Sequence, residues 1–400
     1  MSNSVLDRIR PLRTDNDFAR DTMTRRVPGI LREVQAVNPD YPPEIVQAIE
    51  RLRTALVDDE PIAMLDLLPA PPPDYVDWLV TWRAQNKRSP RMTWQGAEWF
   101  FTETYLYRCL MQAIRWTETG RDPFVPIKRR EMQSERLIQL VTAALDVQGS
   151  FAEKLGLMLA FDLWGNRIDL SHPASDLADK AADEDDLLVD DREAVIELLR
   201  PDGPRAAGAI HVVTDNAGSE LALDLVLLDL LVTGSGSPVV LHVKPHPTYV
   251  SDAVAADIWA TIDVFEAAGG SPAALARRLR AAWQAGQWSM TTHHLWASAR
   301  YLWEMPPTLH EAFEQGRLLI LKGDVNYRRL TGDTVWSNDV SFADVVGGLP
   351  LPVLALRSLK CDVAVGLPPR AAQLDANMPG WRVTGQYGVI QFARNDPPRR

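Results

Sequence analysis

Two cysteines, Cys109 and Cys361, are all that 400 residues contain. That excludes a disulfide framework and a cysteine-rich zinc site. Both lie in apolar stretches and read as buried thiols in a reducing compartment. An excess of positive charge is also missing: 42 Lys and Arg face 53 Asp and Glu, a net charge of −11. Such a balance leaves no electrostatic footprint for nucleic acid or an anionic membrane. No apolar run approaches the roughly 20 residues that cross a bilayer. Residues 1–13 mix charge too early for a secretory signal, so the expected location is the cytoplasm. No Walker loop and no Gly-x-Ser-x-Gly elbow occur. Gly234-Ser235-Gly236 follows a helix instead of a strand, the wrong context for a nucleotide loop. His242 and His246 have helical metal-ligand spacing, but Pro245 and Pro247 exclude the helix. His293 and His294 are adjacent and cannot share a helix face.

What remains is ordinary in composition and specific in pattern. An apolar fraction of 46% suits a soluble protein with a sizeable core. Residues 1–175 read as a helical domain. Ile45, Ile49, Leu52 and Leu56 share one face of a helix that starts after Pro42-Pro43. Trp94 to Trp116 predicts a longer helix, apolar on several sides and so buried between layers, with Glu103 and Arg108 in need of internal partners. A further helix is expected over 130–145. Asn166, Arg167 and Asp169 read as turn residues. An acidic loop at 176–194 marks a seam, without the glycine and closing glutamate of a calcium loop.

From 195 to 396 strand and helix patterns alternate, which predicts an α/β domain with a largely parallel sheet. Strands are expected at 209–214, 239–244, 318–322, 353–356, 362–365 and 388–393, and helices at 220–232, 252–267 and 272–285. Four strand ends carry polar clusters: Asp215-Asn216, the segment running to Asp252, the block Lys322 to Arg329, and Arg357-Ser358-Leu359-Lys360. Asp215 either caps the following helix or, with Asn216, faces the crevice where such sheets bind ligands. Asp215, Asn216 and Asp252 offer hard oxygens to a divalent metal. Lys322, Arg328 and Lys360 can neutralise phosphate. For Lys360 the alternative is a pair with Asp362. The inventory suits metal-assisted phosphate chemistry.

The motifs Glu103-Thr104-Tyr105-Leu106-Tyr107-Arg108, Trp164 to Ser171, Thr214 to Glu220, Ser251-Asp252, Lys322 to Asp333 and Arg357 to Lys360 resemble one family. It is the DUF89 family of metal-dependent damage-control phosphatases, in the branch with an N-terminal helical domain (acidic-residue methyltransferase 1-like, subfamily III). Ser358 stands where that branch usually has threonine, and keeps the hydroxyl. The resemblance implies a Rossmann-like three-layer α/β/α domain with the all-helical domain packed on it. It implies manganese, nickel or cobalt, with magnesium possible, at Asp215, Asn216 and Asp252. It places a sugar phosphate such as fructose 1-phosphate or fructose 6-phosphate against Asp215, Asn216, Asp324, Val325, Asn326, Tyr327, Arg328 and Lys360. The expected reaction is in-line attack on a metal-bound phosphate, with Lys360 and Arg328 stabilising charge. Asp324 either holds sugar hydroxyls or assists proton transfer. The competing expectations are an S-adenosylmethionine-dependent carboxyl methyltransferase, with Glu220 and Asp252 as cofactor contacts, and a silent sugar-phosphate binder. The protein is expected to act on a small metabolite as a monomer or small homo-oligomer.

Overall fold

The computed structural model describes residues 5–164, 186–201, 203–204, 207–337 and 339–395. Asn166, Arg167 and Asp169 lie outside them, as does the acidic run through 185. Seven strands are formed: β1 (Leu187–Asp190), β2 (Ile210–Val213), β3 (Val239–Val243), β4 (Trp288–Thr292), β5 (Leu318–Lys322), β6 (Val353–Ser358) and β7 (Gly388–Ala393). They make one sheet in the order β1-β7-β6-β5-β2-β3-β4. Strands β2 to β6 are parallel, and β7 runs antiparallel to β6. The chain steps from β2 outward through β3 to β4, then returns so that β5 pairs with β2 on its other side. Connections leave β2 and β5 in opposite directions. The crevice between them is the topological switch point where open α/β sheets bind ligands.

Two apolar cores lie on the two faces. Val212, Leu318, Ile320, Leu354 and Leu356 belong to one, and Val213, Leu319, Leu321, Val353 and Ala355 to the other. This is the period-2 alternation of strands buried on both sides. The first face is covered by α-helices at Glu135–Leu145, Phe151–Trp164, Arg192–Leu199, Ser219–Gly234, Ala255–Ala268 and Gly270–Gln284. The second is covered by Trp99–Ala113, by the helix at Gly323–Thr331 and by the segments around Trp296 and Phe342.

For the argument below, α1 is Asp17–Asp21, α2 is Val27–Val37, α3 is Pro43–Val57, α4 is Tyr75–Arg88 and α5 is Trp99–Ala113. Next come α6 (Val125–Met132), α7 (Glu135–Leu145), α8 (Phe151–Trp164), α9 (Arg192–Leu199) and α10 (Ser219–Gly234). Last are α11 (Ala255–Ala268), α12 (Gly270–Gln284) and α13 (Gly323–Thr331). As expected, α3 starts at Pro43 and buries Ile45, Ile49 and Leu56. Helix α5 is buried on almost every side, and both of its charges find partners: Glu103 meets Arg328 at 2.8 Å and Arg108 meets Asp74 at 2.6 Å.

Several expectations need correction. The helix over 130–145 is two helices, α6 and α7, because Ser134 caps the second through the Leu137 N–H. Part of the acidic loop is not a loop: Leu187–Asp190 is edge strand β1, paired with β7. Edge strand β4 was not foreseen, since Ser289, Thr291 and Thr292 break the apolar signal. The strand expected at 362–365 is absent. Its carbonyls are taken by side chains instead: Arg357 binds the Val363 carbonyl and Gln391 the Val365 carbonyl at 2.7 Å.

Several histidines are bonded into the fold. His293 accepts the Leu295 N–H at 2.9 Å. On the second sheet face, Trp296 Nε1 donates to His242 Nδ1 at 3.3 Å, so His242 Nε2 carries the proton it gives to His211 Nδ1 at 3.0 Å. Protonating His242 would set an N–H against the indole N–H. Burial pushes His211 down to about 4 and His242 to about 3. Both folded values lie below the unfolded value, so their stabilising contribution is complete above about pH 6.5 and lost as pH falls toward 4. His211→Gln should therefore flatten the acid limb. The stability difference between the native protein and this variant should shrink by at most about 1.4 kcal/mol per pH unit below 6.5. Urea unfolding at pH 7.5, 6.0 and 5.0 measures it, and parallel curves would contradict the assignment.

Candidate active site at the strand switch point

The ends of four adjacent strands, β6, β5, β2 and β3, open into one cleft of about 330 Å³. Its described lining holds seven acidic side chains and four basic ones. Such a surplus of carboxylate in a partly enclosed space sets the electrostatics of the site.

Asp215 and Asn216 follow β2, and Asp252 follows β3. The loops carrying them are stitched together: the Ala253 N–H donates to the Asp215 carbonyl at 2.8 Å and the Ala217 N–H to the Ser251 carbonyl at 2.6 Å. Asn216 and Asp252 form a β-bridge. The turn before Asp252 is strained. Tyr249 has φ 47° and Val250 φ 70°, a left-handed conformation that is an outlier for a β-branched residue. Strain of this kind costs about 1–3 kcal/mol per residue and collects at functional sites. Nothing in the sequence signals it.

Asp215 does not cap the next helix, so that reading of it fails. The residue before α10 is Gly218, and the Ser219 N–H is taken at 2.9 Å by Glu131 from α6. Asp215 instead lies against Gly323 at the start of α13, where φ is 83° and a methyl group would overlap its carboxylate. Asn216 donates to Asp215 at 2.9 Å and Glu220 at 3.1 Å, and its oxygen accepts the Ser251 hydroxyl at 2.6 Å. Burial, then the carboxylates of Glu220 and Asp252, push Asp215 well above the usual range. Burial also raises Asp252, against the Lys244 ammonium at 3.2 Å. The Asp252 oxygen that faces Lys244 is Oδ2.

The expected phosphate cations separate into two kinds. Lys322 is spoken for: its ammonium pairs with both Asp162 and Asp224 in the interior. Arg328 is held by Glu103 at 2.8 Å and Asp333 at 2.6 Å, and stacks 3.7 Å from the Trp99 ring, leaving only Nη2 without a partner. Lys360 is exposed on the cleft and pairs with no carboxylate among the described residues, so the alternative of a pair with Asp362 falls. Lys360 acts electrostatically on Asp215.

The block 324–328 is divided by its helix. Gly323, Asp324 and Val325 line the cleft at the first turn of α13, where backbone N–H groups lack helical acceptors. The side chains of Asn326 and Tyr327 are turned away, contrary to their expected contact with substrate. Asn326 donates to the Thr214 and Lys322 carbonyls at 3.1 and 2.8 Å, and Tyr327 reaches Gln391 at 2.8 Å. Asp324 accepts from Arg357 at 2.9 Å. Burial pushes its carboxyl up, but the Arg357 and Arg328 guanidiniums outweigh that and hold it below the usual range.

A buried all-oxygen donor set beside an open lysine and a helix N-terminus, at the switch point of a doubly wound sheet, has the chemistry to hold a cation and an anion. Residues 22–374 match the family model described as the damage-control phosphatase ARMT1-like domain. Curated relatives named damage-control phosphatase ARMT1 include those of Danio rerio, 28% identical over 93% of this chain and 90% of that protein, and Xenopus laevis, 30% identical over 75% and 76%. The Homo sapiens protein is 29% identical over 77% of each. A solved DUF89 family protein from Pyrococcus horikoshii is similar over 93% of this chain and 98% of that one, with a TM-score of 0.48 and 16% identity. This chain belongs to the damage-control phosphatase ARMT1-like family, a family of metal-dependent hydrolases. Among the described residues, no helix is long and apolar enough to cross a membrane.

The contact between Asp215 and Gly323 is testable by stability alone. Gly323→Ala adds a backbone penalty and a clash, whereas Gly236→Ala at φ 73° has open space around it. The control should lose about 1 kcal/mol. Gly323→Ala should lose about 2–4 kcal/mol in the same denaturant titration. Equal losses would mean that the Asp215 carboxylate moves aside freely.

Proposed function

We propose that this chain hydrolyses small phosphorylated metabolites, sugar phosphates such as fructose 1-phosphate or fructose 6-phosphate, with a divalent cation held by Asp215, Asn216 and Asp252. The observation that carries the reading is that buried Asp215 shares one cleft with Glu220 and Asp252, whose carboxylates add to burial in pushing it well above the usual range, while Lys244 pairs with Asp252 at 3.2 Å. Carboxylates so placed repel one another unless a proton or a cation intervenes. Among the described residues, no three His, Cys, Asp or Glu side chains gather as a metal cluster. The donor set is completed by a carboxamide instead, and oxygen-only ligands of this kind suit manganese or magnesium and accept cobalt or nickel. Turning the Asn216 amide would point its oxygen toward the carboxylates, an arrangement that favours a cation among them.

A bound cation would supply charge neutralisation at the phosphate and polarisation of its oxygens. The chain's own groups do the rest. Lys360 binds a phosphate oxygen by a charge-assisted hydrogen bond. The N–H groups opening α13 hold others. Arg328, fixed by two carboxylates, offers only Nη2. Asp324 is kept ionised, so it accepts: it orients sugar hydroxyls or takes a proton, and does not act as an acid near neutral pH. A methyltransferase reading has less support, since none of the described strands runs into a glycine-rich loop: β2 leads into Asp215-Asn216-Ala217-Gly218 and β5 into Gly323-Asp324-Val325. The unpaired thiols and the absence of a membrane helix among the described residues support action in the cytoplasm.

Two variants should separate metal from phosphate. Asp252→Asn keeps the shape, removes a ligand charge, and should lower both bound metal and turnover. Lys360→Met should keep metal content and melting temperature while kcat/KM for a sugar phosphate falls on the order of 10- to 150-fold, the effect of about 1.5–3 kcal/mol. Metal analysis beside steady-state kinetics reads both. Full activity after exhaustive, verified chelation would sink the metal assignment.

A further inference from the structure

Besides Lys360, one basic side chain of the cleft has no carboxylate partner among the described residues, and sequence reading passed over it. Arg26 is exposed and lines the same cleft. It ends a π-helical turn, Thr22–Arg26, inserted between α1 and α2. Turns of this kind shift side chains out of the 3.6-residue register and recur at functional sites. The turn is anchored from within: Thr22 is buried and donates to the Phe18 carbonyl at 2.9 Å. Arg25 is tied to Asp21 at 2.7 Å. Only Arg26 is left uncommitted. Phe18, which also lines the cleft, packs edge-on against Trp99, the ring that carries Arg328. The N-terminal helices thus build a wall of the site.

The two uncommitted cations serve different ends of it. Lys360 acts on Asp215, at the metal and phosphate end. Arg26 acts on Glu103 and Tyr107, which lie four residues apart on one face of α5. A phosphate ester bound with its phosphate at Lys360 and the α13 N-terminus must direct its leaving group away from them. The aromatic and polar surface of Trp99, Tyr107 and Glu103 is the wall available to it. A guanidinium there, with all its donors free, suits hydroxyl or carboxylate groups.

Resting on the phosphatase reading, we infer that Arg26 is the specificity residue of this cleft: it binds the leaving-group half of the substrate and selects for polyhydroxylated or anionic leaving groups. The test uses the metal-loaded full chain with fructose 6-phosphate and p-nitrophenyl phosphate, whose leaving group has no hydroxyls to engage. Arg26→Met should reduce the ratio of kcat/KM for the sugar ester over the aryl ester about tenfold or more, through KM. Arg26→Lys, which keeps the charge and loses the fork, should recover part of the ratio. Calorimetry should show weaker binding of fructose 6-phosphate to Arg26→Met, with little change for inorganic phosphate. Equal losses on both esters and on inorganic phosphate would overturn the inference, as would an unchanged ratio. If the native chain hydrolyses neither ester, the phosphatase reading fails, and the calorimetric comparison alone still decides for or against Arg26.

Discussion

The arrangement of the cleft depends on one buried cluster of charge. Lys322, the last residue of β5, lies between Asp162 of α8 and Asp224 of α10, and all three side chains are almost fully withdrawn from solvent. Burial drives both carboxyls up, and the lysine ammonium offsets it. Clusters like this are weak evidence for stability, because desolvation consumes most of the attraction. Removing one member is another matter, since it strands a buried charge at about 3–5 kcal/mol. The consequence is positional. Helix α8 from the N-terminal half, helix α10 from the α/β half and the strand that opens into α13 can meet only in this register. Helix α13 then begins where Gly323 can receive Asp215.

The same logic runs outward. Lys128 of α6 donates to the Asp252 carbonyl at 2.9 Å and pairs with Asp257 at 2.7 Å and Asp122 at 2.9 Å. That fixes the loop presenting Asp252 from the helical side. Arg328 joins α13 to α5 through Glu103, and Arg357 joins β6 to α13 through Asp324. Each of these cations is committed to carboxylates, and each commitment also joins two elements. A chain of net charge −11 therefore does not attract an anion by its overall field. Among the described residues it spends nearly every positive charge lining the cleft on its own architecture and leaves Lys360 and Arg26 open.

How far the sequence exposed this differs by residue. Asp215, Asn216 and Asp252 were legible because the β-branched runs before them mark strand ends, and strand ends in such sheets converge. Lys322 and Arg328 stood out equally well, yet the role expected of them was wrong for Lys322 and largely wrong for Arg328. Their partners lie far off in the chain, 160 and 98 residues away for Lys322 and 225 for the Arg328 bond to Glu103. Local pattern shows that a charge exists, not which opposite charge reaches it first. Asn326 and Tyr327 failed for a related reason. A motif read as a string treats five consecutive residues alike, but a helix turns successive side chains by about 100°, so Asp324 and Val325 face the cleft while the next two face the interior. The strained Tyr249-Val250 turn left no trace, because it lacks the glycine or asparagine that usually announces left-handed backbone, and the π-helical turn at Thr22–Arg26 left none either.

Two open cations among the described residues are few for a phosphate site, and what surrounds them bears on the reason. A phosphate monoester carries nearly two negative charges near neutral pH. On the proposed reading, facing the acidic floor of the cleft without a divalent cation, it would be repelled, since like charges at close range in a partly buried site cost several kcal/mol. The acidic floor thus does two things at once. On the proposed reading it would disfavour anions in the metal-free cleft, and a divalent ion held there would reverse the sign of that floor. Affinity for phosphate would then be conditional on the metal, and Lys360 would need only to orient a group already drawn in. The backbone N–H groups of α13 add donors without adding net charge, so they sharpen this dependence instead of relaxing it. A cleft lined with more free arginine or lysine would hold phosphate whether or not metal was present. Committing those residues to internal carboxylates would, on the proposed reading, tie recognition of the anion to occupancy of the metal site.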